Sequence, residues 1–284
     1  MYRGTRLRGT RVLITGGASG IGRLMALESA RRGAEVVIWD LSADGGAAVA
    51  AEIVAAGGLA SSYSVDVTDT AHVGEAARQT GDVDVVVNNA GVVSGKTLLE
   101  ASESALRRTL EVNVLALYWV TRAFLPGMIA RGRGTVVTIA SAAGLVGVAR
   151  QTDYSASKFG AFGFTESLRA ELRADGHDVG TLVVCPYYIN TGMFEGVETK
   201  FPALLPILEE HDVALKVIDG IESGREQIIL PPFARLVPLM RFLPTRAFDR
   251  VADFFGINHT MDHFVGRAGA KRVAAGKAEA AAEK

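Results

Sequence analysis

The sequence predicts a doubly wound parallel α/β fold, and three observations carry that expectation. Short apolar runs rich in β-branched residues recur between residues 11 and 186. They read as buried strands covered on both faces. Ala-, Arg- and Glu-rich stretches of helical period separate them, and strands alternating with helices imply a parallel sheet between two helical layers.

The strands are expected at RVLITG (11–16), AEVVIWD (34–40), SSYSVDV (61–67), VDVVVNNAG (83–91), GTVVTIAS (134–141) and VGTLVVCP (179–186). A seventh is expected at 227–230, ahead of Pro231-Pro232. Helices are expected over 22–32, 45–56, 102–130 and 154–174. No repeat or linker divides the chain, so residues 1–265 read as a single domain of about seven strands with helices on both faces. The Ala- and charge-rich stretch 266–284 has little to bury and is expected to be a flexible tail.

Bulk composition narrows the function classes. The 284 residues are 49% hydrophobic and 21% charged, enough to bury one large core. A net charge of −1 argues against a nucleic-acid partner. The single cysteine, Cys185, excludes an internal disulfide and points to a reducing, cytoplasmic setting. His259 and His263 stand at i, i+4 but lack a companion acidic ligand, so no metal is expected. No run reaches the roughly 18 uninterrupted apolar residues of a membrane span. The basic lead-in MYRGTRLRGTR enters the first strand without a hydrophobic signal region, so no targeting segment is expected either.

The first strand is followed by Thr15-Gly16-Gly17-Ala18-Ser19-Gly20-Ile21-Gly22, which opens the first helix. Glycines in a strand–turn–helix context let backbone N–H groups approach a pyrophosphate at the positive end of a helix. The spacing is Gly-x-x-x-Gly-x-Gly, and Gly16, Ser19, Gly20, Ile21 and Gly22 are the candidate contacts. Asp40 closes the second strand, where a carboxylate accepts hydrogen bonds from ribose hydroxyls and repels a 2′-phosphate. No basic residue occupies 41–43, so NAD(H) is expected over NADP(H). Asp66, with Val67, is placed to bond an adenine amino group; Asn89, Ala90 and Gly91, after Asn88, would form a backbone shelf beside the adenosine.

The chemistry concentrates further on. Ser141 ends the fifth strand, and Tyr154-Ser155-Ala156-Ser157-Lys158 opens a long helix. Tyr154 and Lys158 are i, i+4 and share a face. A phenol near pKa 10 is a poor base at neutrality, and a nearby ammonium favours its phenolate. Lys158 also reaches toward the nicotinamide ribose, while Ser141 would orient the substrate oxygen.

These residues resemble the short-chain dehydrogenase/reductase family. The resemblance rests on TGGASGIG, Asp40, NNAG, Asn113 in EVNVLA, Ser141 and YSASK, and spans about residues 10–195. It implies a Rossmann-like single domain, oxidation of alcohols or reduction of carbonyls with NAD(P), and a Ser141-Tyr154-Lys158-Asn113 tetrad in which Asn113 holds a water near the lysine. Pro186, Ile189 and Thr191 complete the implied cofactor set, with Thr191 on the carboxamide. Where many relatives have Pro-Gly, this chain has Pro186-Tyr187. The loop YYINTGMFEGVETKFPALLPIL and the later MDHFVGR resemble the retinol and 17β-hydroxysteroid dehydrogenase-like subgroup, which implies a bulky lipophilic alcohol or carbonyl. Eukaryotic members often carry a hydrophobic N-terminal anchor, and the early first strand suggests a soluble, bacterial relative instead. Leu145, Val146, Val148, Tyr188, Met193 and Phe194 are the candidate pocket wall, equally readable as core.

Two alternatives stay open at this level. A catalytically silent dinucleotide sensor or scaffold would be expected to lack part of the tetrad. A nucleotide-sugar epimerase or dehydratase shares the tyrosine–lysine pair but has a longer substrate region. Residues 233–255 mix large apolar side chains with isolated arginines, and read as cover for the site, a subunit contact or a peripheral membrane face. Helices near 115–130 and 154–174, with Phe159, Phe162 and Phe164, suggest a homodimer or homotetramer.

Overall fold

Strand β1 (Arg11–Thr15) faces two cores at once: Val12 and Ile14 enter one apolar cluster and Leu13 the other. The same alternation holds in β2 (Glu35–Asp40), where Val36 and Ile38 oppose Val37 and Trp39. A strand that buries both faces needs a helical layer on each side. Helices α1 (Gly20–Arg31) and α2 (Ala43–Ala55) cover the first face together with α7 (Glu210–Glu222). Helices α3 (Thr70–Thr80), α5 (Ala116–Arg131) and α6 (Thr152–Ala174) cover the second. The computed structural model describes residues 4–266. Apart from Gly266, the tail expected over 266–284 lies outside the described residues.

The remaining strands are β3 (Leu59–Ser64), β4 (Val85–Asn88), β5 (Thr135–Ile139), β6 (Gly180–Pro186) and β7 (Gln227–Leu230). All seven pair in parallel in the order β3-β2-β1-β4-β5-β6-β7. The order reverses between β1 and β4. Such a switch point opens a crevice at the carboxyl ends of the strands. This is the predicted architecture, a Rossmann-like single domain.

Most bounds shift by one to three residues, and three differences bear on the site. The third strand ends at Ser64, so Asp66 sits two residues beyond it, in a turn closed by its own side chain. The fourth ends at Asn88, because Thr15 Oγ1 accepts from the N–H groups of Asn89 and Ala90 and draws that loop toward β1. The single helix expected over 102–130 is α4 (Glu103–Leu110), a π-helical turn at Glu111–Leu115, then α5. The stretch 103–131 is long and apolar enough to cross a bilayer, but Val112, Ala116, Val120, Phe124 and Met128 are buried within the fold.

Beyond β6 the chain leaves the sheet for a loop, returns through α7 and β7, and then builds a cap. The cap comprises a 3₁₀ turn at Pro232–Leu236, α8 (Val237–Met240), α9 (Thr245–Phe254) and a closing segment, 257–266.

Candidate active site

One cavity of about 650 Å³ runs along the carboxyl ends of the strands. That is within the usual range for a small-molecule site. Its first half begins at the glycine loop. Gly16 (φ 64°) and Gly20 (φ 55°) adopt the left-handed conformation that a side chain disfavours. Gly22 is required by proximity: a Cβ there would stand 2.2 Å from the Gly16 carbonyl oxygen and 2.5 Å from Asn89 Nδ2. Asn89 Nδ2 donates to the carbonyls of Thr15 (2.9 Å) and Gly16 (3.0 Å), locking the loop to the β4 shelf. Asp40 accepts from Ala18 N–H (3.0 Å) and Ser42 N–H (2.9 Å), which fixes the carboxylate at the cavity rim. A carboxylate has about four acceptor sites, so bonding capacity remains for a ligand.

Asp66, Val67, Ala90 and Gly91 line the same half. Thr68 bonds Asp66 through hydroxyl (2.7 Å) and N–H (2.9 Å) and holds its carboxyl below the usual range. Arg108 adds a smaller lowering effect and also lines the cavity, a cation that the sequence reading did not place there. Its signal was absent because it lies on α4, far along the chain from the glycine loop.

The cavity's floor holds the reacting groups. Ser141 follows β5; its Oγ accepts from Ala143 N–H and lies in hydrogen-bonding contact with the Tyr154 hydroxyl. Tyr154 and Lys158 project from the first turns of α6, with Lys158 Nζ 5.6 Å from the Tyr154 ring centroid. Nζ also donates to the Ile139 carbonyl at 2.8 Å. Both side chains are buried, and burial governs their titration. It pushes the Tyr154 phenol up to about 12, with Ser141 pulling the other way. It brings Lys158 down to about 8, with Cys185 opposing. The lowering of the phenol expected from the sequence is not what the fold produces: desolvation raises it, and the opposing pull comes from Ser141.

Asn113 lies in the π-helical turn, a geometry that recurs at functional sites. Its amide both accepts from and donates to the Val92 backbone (2.9 Å each), and donates to Ser157 Oγ at 3.0 Å. It thus joins the β4 loop to the helix bearing Tyr154 and Lys158.

The second half of the cavity is apolar. Pro186 at the end of β6 and Tyr188, Ile189, Thr191, Met193 and Phe194 from the loop after it enter this half. Thr191 packs over the glycine loop, its Cβ 3.5 Å from where a Gly20 Cβ would stand. Val146 and Val148 also line the wall, whereas Leu145 does not. Leu145 packs into the core with Ala140, Ala161, Val183 and Cys185, because the 3₁₀ turn after Ser141 directs it inward. Phe233, Val237, Met240, Phe248, Ala252 and Phe255 complete the wall. The sequence had left that segment between three readings, since its short broken helices show no single long apolar face.

The cradle suits a nicotinamide dinucleotide: glycines a Cβ would block, the N-terminus of α1, a rim carboxylate, and a channel leading to a buried tyrosine–lysine pair. The family model for short chain dehydrogenases matches residues 10–201. The chain belongs to the short-chain dehydrogenase family. It is 40% identical over 261 residues to human (Homo sapiens) epidermal retinol dehydrogenase 2, covering 89% of this chain and 84% of that protein. It is 38% identical over 242 residues to human 17-beta-hydroxysteroid dehydrogenase 13, covering 83% and 80%. A solved short-chain dehydrogenase/reductase from Burkholderia phymatum, in complex with NAD, superposes with a TM-score of 0.76 at 27% identity, covering 84% of this chain and 94% of that one. A metagenomic short-chain oxidoreductase in complex with NADP superposes at 0.66 with 31% identity, covering 79% and 97%. This short-chain dehydrogenase is thus an oxidoreductase of a family that uses a nicotinamide dinucleotide.

Proposed function

We propose that this short-chain dehydrogenase is an NAD(H)-dependent enzyme interconverting a bulky lipophilic alcohol with its ketone or aldehyde. One observation carries the reading: Ser141, Tyr154 and Lys158 meet at the floor of a channel whose far wall is apolar and aromatic. The bound dinucleotide exchanges hydride with the substrate carbon. The Tyr154 hydroxyl gives a proton to the carbonyl oxygen in reduction and receives it back in oxidation. Ser141 Oγ orients that oxygen, and Lys158 places positive charge beside the phenol. Asn113 holds the β4 loop and α6 in register. Burial raises the Tyr154 phenol to about 12, so it stands ready to donate a proton in reduction, while the rate of oxidation, which needs the phenolate, rises with pH.

Five features support the finer terms. The rim at Asp40 carries Leu41 and no cation at 41–43, which favours a free ribose over a 2′-phosphate. The apolar wall offers a large substrate volume rather than hydrogen bonds. On the cap's outer side, Leu236, Leu239 (63% exposed), Phe242 (89%), Leu243 and Phe254 face solvent. The exposed Arg235, Arg246 and Arg250 form no ion pair among the described residues. That pairing of apolar and basic groups suits peripheral contact with an anionic membrane surface, beside the cavity. The lone, buried Cys185 supports residence in a reducing, cytoplasmic compartment. Leu110, Leu115, Tyr118 and Phe159 form an exposed apolar face on α4–α6 suited to a homodimer or homotetramer contact. Phe162 and Phe164, expected on that face, pack partly against the core.

The test is a panel of retinoids, steroids and aromatic ketones followed by NADH fluorescence. Tyr154→Phe lowers turnover by at least about a hundredfold, the low end of general acid–base contributions, and leaves NADH affinity unchanged. Retained turnover in that variant overturns the assignment.

A further inference from the structure

The closing segment 257–266 reaches the N-terminus of the helix that bears Tyr154 and Lys158 through a chain of hydrogen bonds. Thr260 Oγ1 donates its proton to the Ile257 carbonyl (2.9 Å), so it can only accept from Tyr188 Oη, 2.8 Å away. Tyr188 Oη, its own hydrogen donated in the bond to Thr260, accepts from Gln151 Nε2 at 3.3 Å. Gln151 caps the helix that bears Tyr154, its carbonyl accepting from Ser155 N–H at 2.7 Å. The neighbouring Arg150 is the one described non-glycine residue with positive φ (60°), and it bonds Asp262 of the closing segment at 3.3 Å.

Rings run parallel to this chain. Phe194 stands edge-to-face on Tyr154 (5.8 Å between centroids) and on Tyr188 (5.1 Å), and tilts toward Phe264 (6.5 Å). Two glycines clear a path for the segment. A Cβ on Gly95 would lie 2.0 Å from the Phe264 ring, and one on Gly196 would lie 2.1 Å from the His263 carbonyl oxygen. Backbone bonds from Glu198 N–H to Thr260 O and from Val265 N–H to Glu195 O fasten it to the substrate loop.

We propose that residues 257–266 form a strap, latched by the Tyr188–Thr260 hydroxyl pair, that sets Phe194 against Tyr154 and so determines which substrates fit. Tyr188 and Thr260 are positioning residues for specificity. With its proton committed to Thr260, Tyr188 takes no part in proton transfer. The proposal rests on the dehydrogenase reading for its kinetic consequence, but the latch itself is observable without substrate.

The experiment compares Tyr188→Phe, Thr260→Val, Thr260→Ser and the Tyr188→Phe/Thr260→Val pair with the wild type. Hydrogen exchange is read at the Glu198 and Val265 amides, and KM and kcat are read for one bulky and one small alcohol. Phe and Val variants are expected to speed exchange at both amides while amides of the glycine loop keep their rate. Their KM for the bulky alcohol shifts by about tenfold relative to the small one, the size of one hydrogen bond, with kcat changed less than about twofold. Thr260→Ser, which keeps the hydroxyl, behaves as wild type, and the double variant falls short of the sum of the singles, because both break the shared bond while each also loses one of its own, to the Ile257 carbonyl or from the Gln151 amide. Unchanged exchange overturns the latch. Faster exchange with an unchanged KM ratio overturns the specificity role. A wild type that turns over no alcohol or carbonyl overturns the dehydrogenase reading and leaves the exchange result standing.

Discussion

The two halves of the cavity are built by different means. The half beneath the glycine loop is assembled from main chain: Gly16, Gly20 and Gly22 clear space, and Asn89, Thr15 and Asp40 tie N–H and C=O groups of neighbouring strand ends together. The half beneath the cap is assembled from rings and aliphatic side chains, with Tyr187, Tyr188 and Phe194 packed edge to face. Main-chain geometry is set by the sheet and cannot be adjusted by one side chain. Ring packing can be, since volume alone is at issue. A common dinucleotide therefore suits the first half and a variable substrate the second.

Substitutions can break this contrast. The largest effect is expected from Gly22→Ala, which forces a methyl into the Gly16 carbonyl and Asn89 amide. NADH affinity, read by fluorescence titration, falls by about a hundredfold, because the main chain itself must move. A loss below about threefold would remove the glycine loop from the binding site. Next comes cofactor choice. Asp40→Ala combined with Leu41→Arg shifts the NADP/NAD ratio of kcat/KM toward NADP by about tenfold or more, through a charge-assisted bond to a 2′-phosphate. Wild-type enzyme with equal efficiency for both cofactors contradicts the rim argument. The smallest effect falls on the cap's outer face. Leu239→Asp with Phe242→Asp reduces cosedimentation with vesicles containing phosphatidylserine by about tenfold, while turnover of a water-soluble alcohol is unchanged. Equal cosedimentation of variant and wild type refutes membrane contact at this surface.

The same contrast governed what could be read in advance. RVLIT, EVVIWD and the central strands were legible because doubly buried parallel strands are apolar without alternation, whereas the edge strand LASSYS is half-exposed and its bounds were read less well. Ser141, Tyr154 and Lys158 were legible because their spacing is local to one strand end and one helix. The π-helical turn at Asn113 was hidden, since its apolar neighbours continue the pattern of the helices on either side. Leu145 was misplaced because a 3₁₀ turn decides its direction, and Arg108 was missed because only the folded chain brings α4 to the cavity. The cap residues from Phe233 to Phe255 stayed ambiguous: one side lines the cavity and the other meets solvent, with helices too short to show either face.

The substrate half hangs from the sheet by bonds that read no side chain. Tyr187 N–H donates to the Leu230 carbonyl, Leu208 N–H to the Tyr188 carbonyl, and Asn190 N–H to the Leu208 carbonyl. Any sequence able to place those amides can be hooked onto the ends of β6 and β7. For an evolving lineage this is a socket. Loops can be exchanged, lengthened or reshuffled beyond Thr191 while the cofactor side is inherited intact, so new substrates can be acquired without rebuilding the catalyst.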